Sequence, residues 1–113
     1  MGLRQDRLAD EIRDLLAPLF ARGDIADRRL EHITITFVKL TADLQLASIY
    51  FRVIPDNKET VAAAQDGFKS ATGFMRKKLA EGLDLRRVPN LRFFYDESVE
   101  RGARIEDLIT KMD

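Results

Sequence analysis

Seven basic side chains lie close together in the sequence between residues 69 and 92, which contain only two acidic residues and so carry a net charge of +5. They are Lys69, Arg76, Lys77, Lys78, Arg86, Arg87 and Arg92. Ammonium and guanidinium groups bind phosphate oxygens, and a local positive potential attracts a polyanion. Because the whole 113-residue chain has a formal net charge of zero, this segment predicts a local anion-binding surface on an otherwise neutral protein.

A glycine lies within the helical pattern of this basic segment. At 100° per residue, Gly73 lies opposite Ala71 on the helix. Three cations share the face of Gly73, namely Lys69, Arg76 and Lys77. We predict a junction between two helices at Ala71-Thr72-Gly73, where the missing side chain lets a phosphate backbone approach amides at the start of the second helix. The alternative is one helix that tolerates the glycine at a cost of ~1 kcal/mol relative to alanine.

Three consecutive aromatic residues follow the basic segment in a predicted strand. We assign Phe93, Phe94 and Tyr95 to the core, and the alternative is that Phe94 or Tyr95 stacks on a nucleic-acid base. Three cations flank this strand and are predicted to contact phosphates: Arg86, Arg87 and Arg92.

Residue types that carry catalysis are few. The sequence has no cysteine and a single histidine, His32, which we interpret as a surface or strand-edge residue. It contains no P-loop, dinucleotide-binding fingerprint or histidine-based metal motif. We interpret Asp96 and Glu97 as charges at a helix N-terminus, where the helix dipole favours them, and not as a catalytic pair. We therefore expect no enzymatic activity, metal or cofactor, and a small enzyme with a ferredoxin-like α+β fold is the least favoured alternative.

The elements that position these residues are predicted in the order α-β-β-α-(break)-α-β-α. The first helix covers residues 4–20, should kink or end early at Pro18, and stops at Gly23. Strands are predicted at residues 33–38, 46–53 and 91–95, and the first two should form an antiparallel hairpin.

Helical patterns account for the remaining segments. Apolar residues recur at helical spacing over about five turns and predict a second helical segment. They are Val61, Ala64, Phe68, Ala71, Met75 and Leu79. A last helix is predicted to start at Ser98 and to place four apolar residues on one face: Ile105, Leu108, Ile109 and Met112.

Length and composition indicate a single globular domain over residues 1–113, with 45% hydrophobic residues. The sequence has no apolar run of roughly 18 residues, so no transmembrane helix is expected. Charged residues in the first helical pattern argue against a cleaved signal peptide. Since cysteine is absent, we expect a reducing, cytoplasmic location. We also expect a monomer without a membrane partner.

Taken together, these motifs resemble the ribosome-binding factor A family. In the type II KH domain of that family, Ala-x-Gly replaces the usual Gly-x-x-Gly loop, and the run SATGFMR at residues 70–76 is similar to it. The run RRVPNLRF at residues 86–93, followed by DES at residues 96–98, resembles the most distinctive block of the family. The run RLADEI at residues 7–12 resembles the opening of its first helix, and the resemblance covers nearly the whole chain.

The resemblance implies an α+β fold of type II KH-like topology, with a three-stranded sheet, helices packed on one face and a C-terminal helix. It implies a non-enzymatic assembly factor that binds the free or immature small (30S) ribosomal subunit, assists late maturation and 5′-end processing of its 16S rRNA, and supports growth in the cold. The predicted RNA-binding residues are Lys69, Ala71, Thr72, Gly73, Arg76, Lys77, Arg86, Arg87 and Arg92. The alternative function is a KH-like protein-interaction module without direct RNA binding.

Overall fold

A computed structural model describes residues 2–97 of the chain. Its elements are α1 (Gly2–Ala21), a short 3₁₀ turn (Arg28–Leu30), β1 (Ile33–Leu40), β2 (Leu46–Val53), α2 (Lys58–Gly82) and β3 (Asn90–Tyr95). The three predicted strands are confirmed, although β1 and β3 are slightly longer than predicted. The C-terminal helix predicted from Ser98 onward lies outside the described residues.

The sheet has the strand order β1-β2-β3, so β2 is central and β1 and β3 are its edges. β1 pairs with β2 in the antiparallel sense, which confirms the predicted hairpin, and β3 pairs with β2 in the parallel sense. Parallel neighbours cannot be joined by a tight turn. The long helix α2 therefore supplies the crossover from β2 to β3.

A β-bulge interrupts β1 at Thr36. Ile35 pairs with Phe51 and Phe37 pairs with Tyr50, so Thr36 is an extra residue on its strand. The alternation of buried residues shifts at this point, because Ile35 is buried before the bulge and Val38 after it. As a result Phe37 points away from the helices, toward the open face of the sheet.

α1 and α2 cover one face of the sheet, as predicted. Alternate residues of β2 are buried on this face: Ala47, Ile49, Phe51 and Val53. The helices contribute the other large buried side chains, including Ile12, Leu16, Phe68, Met75 and Leu79. Burial of these side chains is the main stabilisation of the helices, because amphipathic helices gain most of their stability from packing of the apolar face.

The first helix continues through Pro18, so the predicted early end is wrong. The Pro18 carbonyl accepts a hydrogen bond from the Arg22 amide at 2.9 Å, and the helix ends at Ala21. Since Leu19 and Phe20 are buried, packing against the core holds the last turn in helical form despite the missing proline N–H.

The predicted stop at Gly23 is confirmed. Gly23 has φ of +71°, and its amide bonds to the Phe20 carbonyl while the Asp24 amide bonds to the Leu19 carbonyl. This pair of bonds is a Schellman motif, in which glycine takes the left-handed conformation without strain.

The second helix is continuous, and the predicted junction between two helices at Ala71-Thr72-Gly73 is wrong. Asn57 caps its start by accepting a hydrogen bond from the Thr60 amide at 2.8 Å, and the helix then runs from Lys58 to Gly82. Phe68 and Ala71 before the glycine, and Met75 and Leu79 after it, are buried in one helical register. Because one glycine costs only about 1 kcal/mol, this shared packing keeps the helix intact.

Candidate nucleic-acid interface

An open groove of about 290 Å³ separates α2 from the edge strand β3. Its lining residues are Gln65, Phe68, Lys69, Thr72, Leu91, Arg92, Phe93 and Phe94. Three members of the predicted RNA-binding set meet here, since Lys69 and Thr72 come from the helix and Arg92 comes from the strand. The two cations are exposed, whereas the middle of the groove is aromatic and aliphatic.

The basic face of α2 continues beyond the groove. Gly73 and Arg76 follow Lys69 at spacings of four and seven residues, which places all three on one face, and all three are exposed. A Cβ atom built on Gly73 meets no atom within 4 Å, so the surface there is open. Because Gly73 lies within a continuous helix, its amide is bonded inside the helix. A phosphate approaching here would use the missing side chain and not a free amide.

Arg76 connects the helix to the loop that precedes β3. Its Nη2 atom donates a hydrogen bond to the Val88 carbonyl at 3.1 Å. This bond holds the loop that carries Arg86 and Arg87 beside the C-terminal half of α2.

The remaining predicted RNA-binding residues differ in burial, in hydrogen bonding and in their position relative to the groove. Ala71 is buried, so its methyl group is not part of this surface. The Thr72 hydroxyl donates to the Phe68 carbonyl at 2.7 Å, which leaves it without a proton for a phosphate in this conformation. Three further cations are exposed but do not line the groove: Lys77, Arg86 and Arg87.

The opposite side of α2 borders a second cleft, of about 230 Å³. This cleft is lined by Asp24, Ile25, Ala26, Asp27, Ser70, Ala71 and Phe74. Asp27 accepts hydrogen bonds from the Arg29 side chain at 2.8 and 3.0 Å and from its backbone amide at 2.9 Å. These bonds lower the pKa of Asp27 and keep it ionised. The Arg29 guanidinium at this cleft is paired with Asp27, whereas neither Lys69 nor Arg92 of the groove forms an ion pair with another described residue, so the groove is the side that suits a phosphate backbone.

The three aromatic residues of β3 are divided between the two faces of the sheet. Phe93 and Tyr95 pack against the core, which confirms their predicted assignment, whereas Phe94 is 41% exposed and its assignment to the core is wrong. The cause is the geometry of a strand, in which consecutive side chains point to opposite faces. Phe94 is therefore accessible to a stacking partner.

Gln65 was missed by the sequence analysis. Its Nε2 atom donates a hydrogen bond to the Phe93 carbonyl at 2.9 Å and so ties α2 to the outer edge of β3. Gln65 precedes Lys69 by one helical turn, and that spacing would have placed it on the same face.

Asp96 has a structural role that the sequence did not indicate. It is buried, it accepts a hydrogen bond from the Thr36 hydroxyl at 2.5 Å, and its amide bonds to the Phe51 carbonyl. The helix that we predicted to follow it lies outside the described residues. His32 is exposed and has φ of +61°, so its interpretation as a surface residue is confirmed.

Two features are absent from residues 2–97. This part of the chain holds no group of three or more histidine, cysteine, aspartate or glutamate side chains able to bind a metal ion. It also contains no helix of the length and apolar character that crossing a membrane requires.

The topology described above, with β2 between an antiparallel β1 and a parallel β3 and both helices on one face, defines a type II KH-like α+β domain. A family model described as Ribosome-binding factor A matches residues 4–109. The chain belongs to the ribosome-binding factor A family.

Relatives named Ribosome-binding factor A match the chain over nearly its whole length. The protein from Geotalea daltonii is 40% identical over 112 residues, which cover 99% of this chain and 89% of the relative. The protein from Leuconostoc citreum is 41% identical over 110 residues, which cover 96% of this chain and 92% of the relative.

Solved structures share the fold. The solution NMR structure of a putative ribosome binding factor A from Thermotoga maritima has a TM-score of 0.73 and 25% identity, and covers 88% of this chain and 93% of its own. The crystal structure of ribosome-binding factor A from Thermus thermophilus has a TM-score of 0.70 and 23% identity, and the match covers 80% of this chain and 93% of that chain. A homology model of the Thermus thermophilus factor has been fitted into a cryo-EM map of a 30S complex of that factor. It has a TM-score of 0.65 and 24% identity, and the match covers 80% of this chain and 92% of that chain.

Proposed function

We propose that this protein is a ribosome assembly factor that binds the free or immature small (30S) ribosomal subunit. As a single domain over residues 1–113 and a monomer in the cytoplasm, it would assist late maturation and 5′-end processing of 16S rRNA without a cofactor. Its membership of the ribosome-binding factor A family supports this proposal. So does the fold that it shares with a factor placed in a map of a 30S complex. The observation that carries the proposal is that two exposed cations, Lys69 of α2 and Arg92 of the edge strand β3, both line the α2–β3 groove.

The groove suits the sugar-phosphate backbone of an RNA strand. Lys69 on the helix side and Arg92 on the strand side would each neutralise a phosphate, and Gly73 would let the backbone approach the helix closely. Such contacts fix the position of the RNA but carry no sequence information. The exposed cations at the end of α2 and in the following loop would extend the same track: Arg76, Lys77, Arg86 and Arg87.

Binding to small subunits tests this assignment. We expect Lys69→Glu/Arg92→Glu to weaken co-sedimentation with immature small subunits and to lower the salt dependence of binding, by about 0.7–0.9 in the log–log slope for each phosphate that is no longer neutralised. The matched control is Arg4→Glu/Arg7→Glu, which reverses the same number of charges at exposed positions of α1. This control should bind nearly as well as the unmodified protein.

Two results would contradict the proposal. Unchanged binding by the groove variant, with a native circular dichroism spectrum, would remove the groove as the site. Failure of the unmodified protein to bind subunits or RNA at low salt would favour the alternative function, a KH-like protein-interaction module.

The role in maturation has a separate test in cells. Loss of the gene should cause accumulation of 16S rRNA with an unprocessed 5′ end, measured by primer extension, and should slow growth most at low temperature. Normal 5′ ends in the deletion strain would contradict the processing role and leave subunit binding as a separate question.

A further inference from the structure

A row of three aromatic side chains crosses the open face of the sheet. Each strand contributes one residue, and the pairing register aligns Phe37 with Tyr50 and Tyr50 with Phe94. The ring centroids of Phe37 and Tyr50 are 5.8 Å apart, and those of Tyr50 and Phe94 are 5.5 Å apart. The three rings therefore form one continuous surface from edge to edge of the sheet.

The row is accessible, and its outer members are large apolar groups left in water. Phe37 is 54% exposed and Phe94 is 41% exposed, while Tyr50 between them is half-buried. The bulge at Thr36 brings Phe37 to this face. Without the extra residue, Phe37 would continue the alternation of the buried Ile35 and would point toward the helices.

A basic row runs beside the aromatic row. Lys39 pairs with Ser48, and Ser48 pairs with Arg92, two residues along each strand from the aromatic row. That separation is about 7 Å. Lys39 and Arg92 are exposed, and neither forms an ion pair with another residue of the described part of the chain. On the other side of the aromatic row, the guanidinium of Arg52 is paired with Asp56 at 3.1 Å.

We propose that this face is a second nucleic-acid surface, which binds unpaired RNA nucleotides by stacking their bases on Phe37, Tyr50 and Phe94. Lys39 and Arg92 would bind the phosphates of the same nucleotides. Every base has a π-face, so stacking on aromatic side chains tolerates any sequence. The cations beside the rings favour a polyanion over an apolar protein surface as the occupant.

The aromatic row adjoins the groove of the proposed function, but the two surfaces would bind different parts of the RNA. Arg92 and Phe94 also line the α2–β3 groove, so one strand could pass around the edge of β3 and reach both surfaces. Groove contacts need only phosphates, whereas the aromatic row needs unpaired bases. The inference does not depend on ribosome binding.

Fluorescence anisotropy with two labelled RNAs tests whether the aromatic row binds bases. One is a single-stranded oligonucleotide of about eight nucleotides, and the other is an abasic strand of equal length and charge. The unmodified protein should bind the strand with bases at least about 10-fold more tightly than the abasic strand. Phe37→Leu/Phe94→Leu should lose this preference, and Phe37→Tyr/Phe94→Tyr, which keeps both rings, should retain it.

A groove variant separates this inference from the proposed function. Lys69→Glu should weaken binding of both RNAs by a similar factor and leave the preference for bases unchanged, because Lys69 lies in the groove and not in the aromatic row. If Lys69→Glu instead bound both RNAs as tightly as the unmodified protein and kept the base preference, the groove of the proposed function would be contradicted and the aromatic surface would not.

Three results would overturn the inference. The first is equal binding of the two RNAs by the unmodified protein. The second is an unchanged base preference in the folded leucine variant. The third is occupation of this face by protein, detected as a dimer that the leucine variant abolishes in sedimentation equilibrium or as nuclear Overhauser effects between Phe94 and residues 98–113.

Discussion

The rings of Phe68 in α2 and Phe93 in β3 are stacked, with centroids 4.1 Å apart and planes inclined by 3°. This contact helps to determine which side chains of β3 face the helices. With Phe93 turned toward the helix, its neighbours Arg92 and Phe94 point to the other face of the sheet. One contact in the core therefore helps to position side chains of both the groove and the aromatic row.

Alanine at Phe93 and at Phe94 should have very different effects on stability. We expect Phe93→Ala to lower the free energy of unfolding by about 3 kcal/mol, because it removes a ring stacked in the core. Phe94→Ala removes an exposed ring and should cost less than about 1 kcal/mol. Urea unfolding followed by circular dichroism measures both, and equal losses would contradict the assigned orientation of β3.

Two glycines of α2 should respond to alanine in opposite ways. A Cβ atom at Gly67 would lie 2.9 Å from Cγ and Cδ2 of the buried Leu30, so Gly67→Ala should lower stability by about 1–3 kcal/mol. A Cβ atom at Gly73 meets no atom within 4 Å, so Gly73→Ala should raise stability by up to about 1 kcal/mol. Thermal unfolding compares the two variants, and a loss of stability in Gly73→Ala would show that the helix is not regular there.

The same Gly73 variant distinguishes function from stability. If close approach of RNA needs the bare helix surface at Gly73, then Gly73→Ala should weaken binding to immature small subunits although the protein is more stable. Co-sedimentation measures this effect, with the charge-reversed α1 variant as the reference. Full binding by Gly73→Ala would mean that the RNA backbone does not come close to the helix at this residue.

The hydrogen bond from Thr36 to Asp96 should contribute to the stability of the sheet. Thr36→Val keeps the shape of the side chain but removes the donor to a buried carboxylate, and we expect a loss of about 1.5–3 kcal/mol. Thr36→Ser keeps the hydroxyl and is the matched control. In chemical unfolding, a valine variant as stable as the serine variant would show that this bond contributes little.

Protonation of Asp43 should account for part of the stability that the protein loses at acid pH. Its carboxylate accepts hydrogen bonds from the Thr41 hydroxyl at 2.7 Å and the Gln45 amide at 3.0 Å, and these bonds lower the pKa of Asp43 below its ordinary value. The ionised group therefore stabilises the turn above about pH 4, and this stabilisation is lost as the pH falls through the lowered pKa.

Melting temperatures between pH 5 and pH 2 test the role of Asp43. The unmodified protein should lose thermal stability more steeply below about pH 4 than Asp43→Asn, whose side chain does not titrate. Parallel curves for the two proteins would show that Asp43 does not contribute to the pH dependence.

Local patterns in the sequence determined most of the secondary structure. The strand patterns located all three strands, the glycine after α1 marked the end of that helix, and apolar residues at helical spacing located α2. These features depend on residues within a few positions of one another, and therefore the sequence alone reveals them. The composition of the basic segment likewise indicated which helix carries the candidate site.

Only the tertiary structure decided how these elements combine. Packing against the core keeps α2 continuous through Gly73 and α1 helical through Pro18, because burial outweighs the local cost of either residue. Parallel pairing of β3 with β2 brings Arg92 to the edge of the groove that Lys69 also lines, and completes the aromatic row at Phe94. The partners in each of these contacts are far apart in sequence, so their meeting depends on the whole fold.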